Sequence, residues 1–121
     1  MVKLIIINKS GEIKEKIIKD KEFSIDKFFK YAGFRKEEHF DKQHTWKITN
    51  NKYLSLYAKT KGRANTENKF ELPPPIDNEL FFSSLLVVLS EKNEVNEETV
   101  IDLHKQTFEK MYYKLFGGFH D

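Results

Sequence analysis

The stretch Phe81-Phe82-Ser83-Ser84-Leu85-Leu86-Val87-Val88-Leu89 decides the fold. After its two serines it is apolar without a break, and a long polar, proline-bearing segment precedes it. A short run of Leu and Val with no polar alternation predicts a β-strand buried on both faces. It is far too short to cross a bilayer, which takes about 20 apolar residues. The rest of the chain is read outward from this strand.

Residues 61–78 precede it as a loop, from Lys61-Gly62-Arg63 to the triple proline Pro73-Pro74-Pro75. Three consecutive prolines cannot sit inside a sheet or helix, and they favour polyproline II. Residues 40–60 predict a hairpin turning at Asn50-Asn51, since Asn tolerates the positive φ of tight turns. In it Phe40, His44, Trp46 and Ile48 share a face, Leu54, Leu56 and Ala58 share another, and Tyr53, Ser55 and Tyr57 point oppositely. Residues 24–32 predict a short helix with Ser24 as N-cap, Asp26 in the first turn, Gly33 at C′ and a Phe23–Phe28 staple. Residues 2–19 predict a hairpin: the β-branched Leu4–Ile7 run, the turn Asn8-Lys9-Ser10-Gly11, and an alternating return strand with Ile13 and Ile17.

C-terminal to the deciding strand, residues 97–116 predict a helix of about 30 Å. Asn96 would cap it, Glu97 and Glu98 favour its positive end, and Val95 would staple to Val100. Val100, Leu103, Phe108, Met111 and Leu115 form its apolar stripe, and Gly117-Gly118 ends it. The expectation is one α+β domain over residues 1–121, ordered β-β-α-β-β-β-α. About five strands make an antiparallel or mixed sheet, with the long C-terminal helix packed on one face.

The 121 residues suit a single domain. Hydrophobic residues at 39% and eleven Phe supply a core, and charged residues at 33% a solvated surface. With no cysteine, disulfides and Cys-ligated metals are excluded, and a reducing, intracellular setting fits. No secretory leader pattern stands at the N-terminus and no membrane partner is expected. The net charge of +2 hides a split: residues 1–70 carry 17 Lys+Arg against 9 Asp+Glu, and residues 71–121 carry 4 against 10. Such asymmetry fits either a nucleic-acid face or two halves that fold together.

No catalytic constellation stands out, and no cofactor is expected. His39, Asp41 and His44 with Glu38 match no metal motif, because alternation points His44 away from His39 and Asp41. His104 and His120 are isolated. Lys59-Thr60-Lys61-Gly62-Arg63 lacks the spaced glycines and terminal Lys-Ser/Thr of a P-loop. The Trp46–Tyr57 hairpin leaves two registers open. A two-residue loop puts Trp46, Ile48, Tyr53 and Tyr57 on one face. A three-residue loop joins Trp46 and Ile48 to Leu54 and Leu56 in the core, leaving Tyr53 and Tyr57 beside Lys47 and Lys59. That second arrangement would be a stacking platform for single-stranded nucleic acid, supported by Lys61 and Arg63. Two further elements suit protein contact. Leu72-Pro73-Pro74-Pro75-Ile76 is either a rigid cover or a docking strand, and Leu115-Phe116-Gly117-Gly118-Phe119 offers Phe116 and Phe119 as anchors.

Tyr57–Arg63, Glu67–Asp77, Leu80-Phe81-Phe82 and Tyr113–Phe119 together resemble uncharacterised proteins of nucleocytoplasmic large DNA viruses. The resemblance covers roughly residues 46–121, and the lysine-rich, arginine-poor composition is compatible with it. In that group a Gly is expected where this chain has Ser83, and an acidic residue at His120 followed by an acidic tail, where this chain stops at Asp121. The resemblance implies a viral source, within host cytoplasm, nucleus or virion, and no assigned activity. The functional expectation is a non-enzymatic, virus-encoded protein-binding module, a virion component or accessory to viral gene expression, with a protein partner or a second copy. Pro73, Pro74, Pro75, Phe116 and Phe119 would make the contact. The alternative is single-stranded nucleic-acid binding through Lys47, Tyr53, Tyr57, Lys59, Lys61 and Arg63.

Overall fold

A computed structural model describes residues 1–19, 23–35, 39–61 and 67–116. The deciding strand lies at its centre. β1 (Val2–Ile7) and β2 (Ile13–Ile18) form the first hairpin. A 3-10 turn (Ile25–Lys27) leads into α1 (Phe28–Tyr31). β3 (Phe40–Lys47) and β4 (Lys52–Lys59) form the second hairpin, followed by β5 (Phe82–Lys92), β6 (Glu98–Ile101) and α2 (Lys105–Leu115). The six strands form one antiparallel sheet in the order β2-β1-β5-β4-β3, with β6 also paired to β5. The expected α+β architecture, with a C-terminal helix on one face, is the observed one.

β5 carries the sheet because it pairs with β4 along one edge and with both β1 and β6 along the other. β1 pairs with Leu85–Val87 and β6 takes over at Leu89–Lys92. Where the two meet, Leu103 N–H donates to Lys3 O (2.9 Å) and Lys3 N–H donates to Asp102 Oδ1 (2.8 Å). Both faces of β5 are covered. Leu85, Val87 and Leu89 join Ile5, Ile7, Trp46, Leu54, Leu56, Leu103 and Phe108 under α2. Leu86 and Val88 join Val2, Leu4, Ile18, Phe28 and Phe40 under α1.

The predicted helix over residues 97–116 is corrected by this arrangement: its first eight residues are the end of a turn, β6 and a connector. Thr99, Val100 and Ile101 are β-branched, which suits a pleated surface. Asn96 has φ 65°, which an N-cap does not adopt. Instead it occupies a turn seen twice in the chain. Asn8 Oδ1 accepts N–H bonds from Ser10 (3.1 Å) and Glu12 (2.9 Å), and Asn93 Oδ1 accepts them from Val95 (3.0 Å) and Glu97 (2.9 Å). Asn8 N–H closes onto Glu12 O (3.0 Å) and Asn93 N–H onto Glu97 O (3.1 Å). The fourth residue of each turn is left-handed, Gly11 at φ 91° and Asn96 at φ 65°.

Three smaller expectations also change. The helix expected over residues 24–32 is the 3-10 turn plus α1, and Ser24 makes no side-chain cap, although Phe23 and Phe28 do meet (ring centroids 5.9 Å) and Gly33 is left-handed at φ 95°. The second hairpin takes the three-residue register, Trp46 opposite Leu54, and neither Asn50 nor Asn51 has a positive φ; Thr49 Oγ1 ties the turn by accepting Lys52 N–H (3.1 Å). A bulge at Gln43, held by its side-chain amide on Asp41 O (3.0 Å) and Ala58 O (3.2 Å), turns Phe40 to the face opposite Trp46. It also brings Asp41 and His44 onto the same face.

Candidate functional site

The proline segment is first a cover. Leu72, Pro73 and Ile76 are buried against the α2 face of the sheet, and Trp46 Nε1–H donates to Pro74 O (2.8 Å). Pro74 and Pro75 remain exposed on its outer side. The segment abuts the last turns of α2: Phe70, Leu72, Pro73, Tyr112 and Leu115 line one crevice of about 10 Å³. Tyr112 joins the two elements, its hydroxyl donating to Glu71 O (2.5 Å) and its ring meeting those of Phe70 (4.9 Å) and Phe116 (4.8 Å). Burial, with the nearby Glu71 carboxylate, pushes its hydroxyl pKa up to about 12. Beside it Tyr113 is 69% and Phe116 37% exposed. The structure thus joins the proline segment to the last turn of α2 through Tyr112, on which Phe116 packs. Phe119, with Gly117 and Gly118, lies outside the described residues.

The other side of α2 borders a groove that sequence reading missed. Lys47, Ile48 and Thr49 from the end of β3 face Thr107, Lys110, Met111, Lys114 and Leu115 across a space of about 360 Å³. Ile48, Met111 and Leu115 form an apolar floor continuous with the core. Lys110 and Lys114 stand one turn apart on the helix bank; the strand bank meets the groove at Lys47, whose side chain shares the opposite face of the sheet with Tyr53. The helical half was legible in the Met111–Leu115 stripe. The strand half was not, because only the tertiary register brings Ile48 alongside α2.

The tyrosine face is the one opposite α2, as the three-residue register predicts, but it is not an open platform. Tyr57 is half-buried under α1, edge-on to Phe28 (4.8 Å) and stacked with Phe40 (6.4 Å). Burial foremost, and then Glu98, pushes its hydroxyl pKa up to about 12. Tyr53 pairs across the strands with Lys47 and Ser90, and its ring lies under Lys92 Nζ (4.8 Å). Lys59 lies over Phe34 (5.2 Å), and Lys61 is exposed. Arg63 lies outside the described residues. The expected pair of stacking rings is reduced to Tyr53, since Tyr57's aromatic surface is taken by Phe28 and Phe40.

Among the described residues no three His, Asp or Glu side chains are placed to hold a metal. His44 packs its ring on Trp46 (4.8 Å), His39 is exposed with φ 58°, and His104 Nδ1 lies 3.2 Å from Lys3 Nζ. Glu38 and His120 lie outside the described residues. No helix among the described residues is long and apolar enough to cross a membrane. No protein-family model matches the chain, and no curated protein or solved structure is found to match it.

Proposed function

We propose that this protein is a non-enzymatic protein-binding module whose contact surface is the C-terminal end of α2 with the adjoining proline segment. One observation carries the reading. Two contact elements far apart in the sequence meet at Tyr112, which bonds Glu71 O and packs on Phe116, with Tyr113 and Phe116 exposed on α2 and Pro74 and Pro75 exposed on the proline segment. Aromatic side chains next to rigid proline make favoured contact material, because they offer large area at small entropic cost. The resemblance to proteins of large DNA viruses supports a viral setting, as a virion component or an accessory to viral gene expression within the infected cell. A second copy of the chain is one partner this surface would accept.

The test is affinity capture from infected cells with the wild-type chain and with the double variant Tyr113→Ser, Phe116→Ser. Because Phe116 also packs on Tyr112, the single variant Tyr113→Ser, at a side chain 69% exposed, is run beside it and should keep the wild-type melting curve. The expected result is a specific partner retained by the wild type and lost by the variant. Recovery of no specific partner at any salt, or equal recovery by both chains, overturns the reading. The nucleic-acid alternative keeps only Tyr53 beside Lys47 and Lys92 in its favour. It requires Tyr53→Ala to weaken oligonucleotide binding by roughly 1–3 kcal/mol at matched salt.

A further inference from the structure

We propose that the groove between α2 and the β3–β4 turn is a docking site for a short acidic peptide segment bearing bulky apolar side chains. The inference rests on the protein-binding reading and names the chemistry of a partner. Thr107, Met111 and Leu115 follow one another at four-residue spacing, so the helix bank runs about 12 Å, two turns of α2. The opposite bank is the β3 end, Lys47 to Thr49. At about 360 Å³ the space holds a few large side chains, and its floor of Ile48, Met111 and Leu115 gives them apolar contact. Met111 is well suited to a floor, because its unbranched thioether adapts to different side chains.

The rim selects the charge. Lys110 and Lys114 stand along the helix bank, and no carboxylate is among the lining residues. Among the described residues neither lysine forms an ion pair. Two cations along an apolar floor complement a segment whose apolar side chains are flanked by Asp or Glu. A basic segment would be repelled, and a purely apolar one would leave the ammonium groups without partners.

The experiment measures fluorescence anisotropy of a labelled synthetic peptide, rich in Glu and carrying Leu and Phe at four-residue spacing, against the full chain. Three competitors are included: a scramble of the same composition, the same apolar pattern with Lys for Glu, and an oligothymidylate of equal charge. The expected result is saturable binding of the acidic patterned peptide alone. Lys110→Glu with Lys114→Glu should weaken it at least about tenfold and let the lysine peptide bind instead. Met111→Gln, which keeps shape and removes apolarity, should weaken it with no change in the salt dependence. Equal binding of the scramble or the oligothymidylate would reduce the site to bulk charge and overturn the proposal. Self-association in sedimentation, lost in Met111→Gln and without peptide binding, would assign the groove to a second copy and likewise overturn it. If partner capture succeeds and depends on Tyr113 and Phe116 while no peptide binds, the groove proposal falls and the protein-binding reading stands.

Discussion

At the scale of single residues, some of the ties in this fold are made by side chains that no local pattern marks. Asn68 is buried and its amide donates to Asn8 O (2.9 Å) and Ser83 O (2.8 Å), while its Oδ1 accepts Phe70 N–H (2.8 Å). It pegs the loop to the end of β1 and the start of β5. In the sequence it is one Asn in a polar loop, because its partners lie up to 61 residues away. Ser83 is different: its significance was half legible, because a Gly was the expectation at its place. Its φ of 60° is the left-handed region, beside the register shift between Tyr57 and Lys59. An L-residue there costs about 1–2 kcal/mol, against about 0.5–1 kcal/mol of extra chain entropy that Gly loses on folding. Ser83→Gly should therefore stabilise by about 0.5–1 kcal/mol and raise the melting temperature, while Ser83→Ala should not. Equal shifts for Gly and Ala would show that backbone strain is not the cause.

At the scale of elements, the legible parts were those with one strong periodicity, and the misread ones carried two compatible signals. Leu4–Ile7, Leu54–Ala58 and Leu85–Leu89 could be read only as strands, and they are strands. Asn96-Glu97-Glu98 reads equally as a helix N-cap with acids in its first turn or as the end of a hairpin loop. Pairing with β5 decides for the hairpin, which no window of ten residues reveals. The helix then starts at Lys105, where His104 offers no side-chain cap. A strand residue supplies it instead: Glu15 Oε2 accepts Lys105 N–H at 2.7 Å. That hydrogen bond, with Lys3 Nζ 3.5 Å from the same carboxylate, holds the Glu15 carboxyl below its ordinary pKa of 4.5. A carboxyl whose pKa is lowered in the folded state stabilises it above the unfolded value, and the contribution disappears as pH falls through the lowered one. Glu15→Gln keeps the acceptor and removes the charge. It should lower the melting temperature at neutral pH, and the gap to wild type should close in acid well below pH 4.5. A gap independent of pH would mean that the carboxylate charge plays no part at the start of α2.

At the scale of the whole molecule, the charge split between the two halves of the sequence does not mark two structural halves. β5, β6 and α2 come from the acidic half, yet β5 lies between β1 and β4 of the basic half. The two ion pairs found among the described residues, Lys3–Glu15 and Lys14–Glu12, both join residues of the basic half. The halves are held together by apolar packing on both faces of β5. A doubly covered strand makes a definite claim about cooperativity. Trp46 reports the α2 side, where it packs with Leu54 and Leu56, whereas Phe28 belongs to the α1 side, against Tyr57. If the two layers were independent, damage under α1 would leave the Trp46 signal in place. Because Leu86 and Val88 alternate with Leu85, Val87 and Leu89 in one backbone, neither layer can loosen without the other. Phe28→Ala should cost roughly 3–5 kcal/mol. It should move the urea midpoint followed by Trp46 fluorescence as far as the midpoint followed by circular dichroism of the sheet, since coincident probes are the mark of one transition. A Trp46 midpoint that stays at the wild-type value while the sheet signal shifts would show two layers folding separately, and β5 would not be the element that unites them.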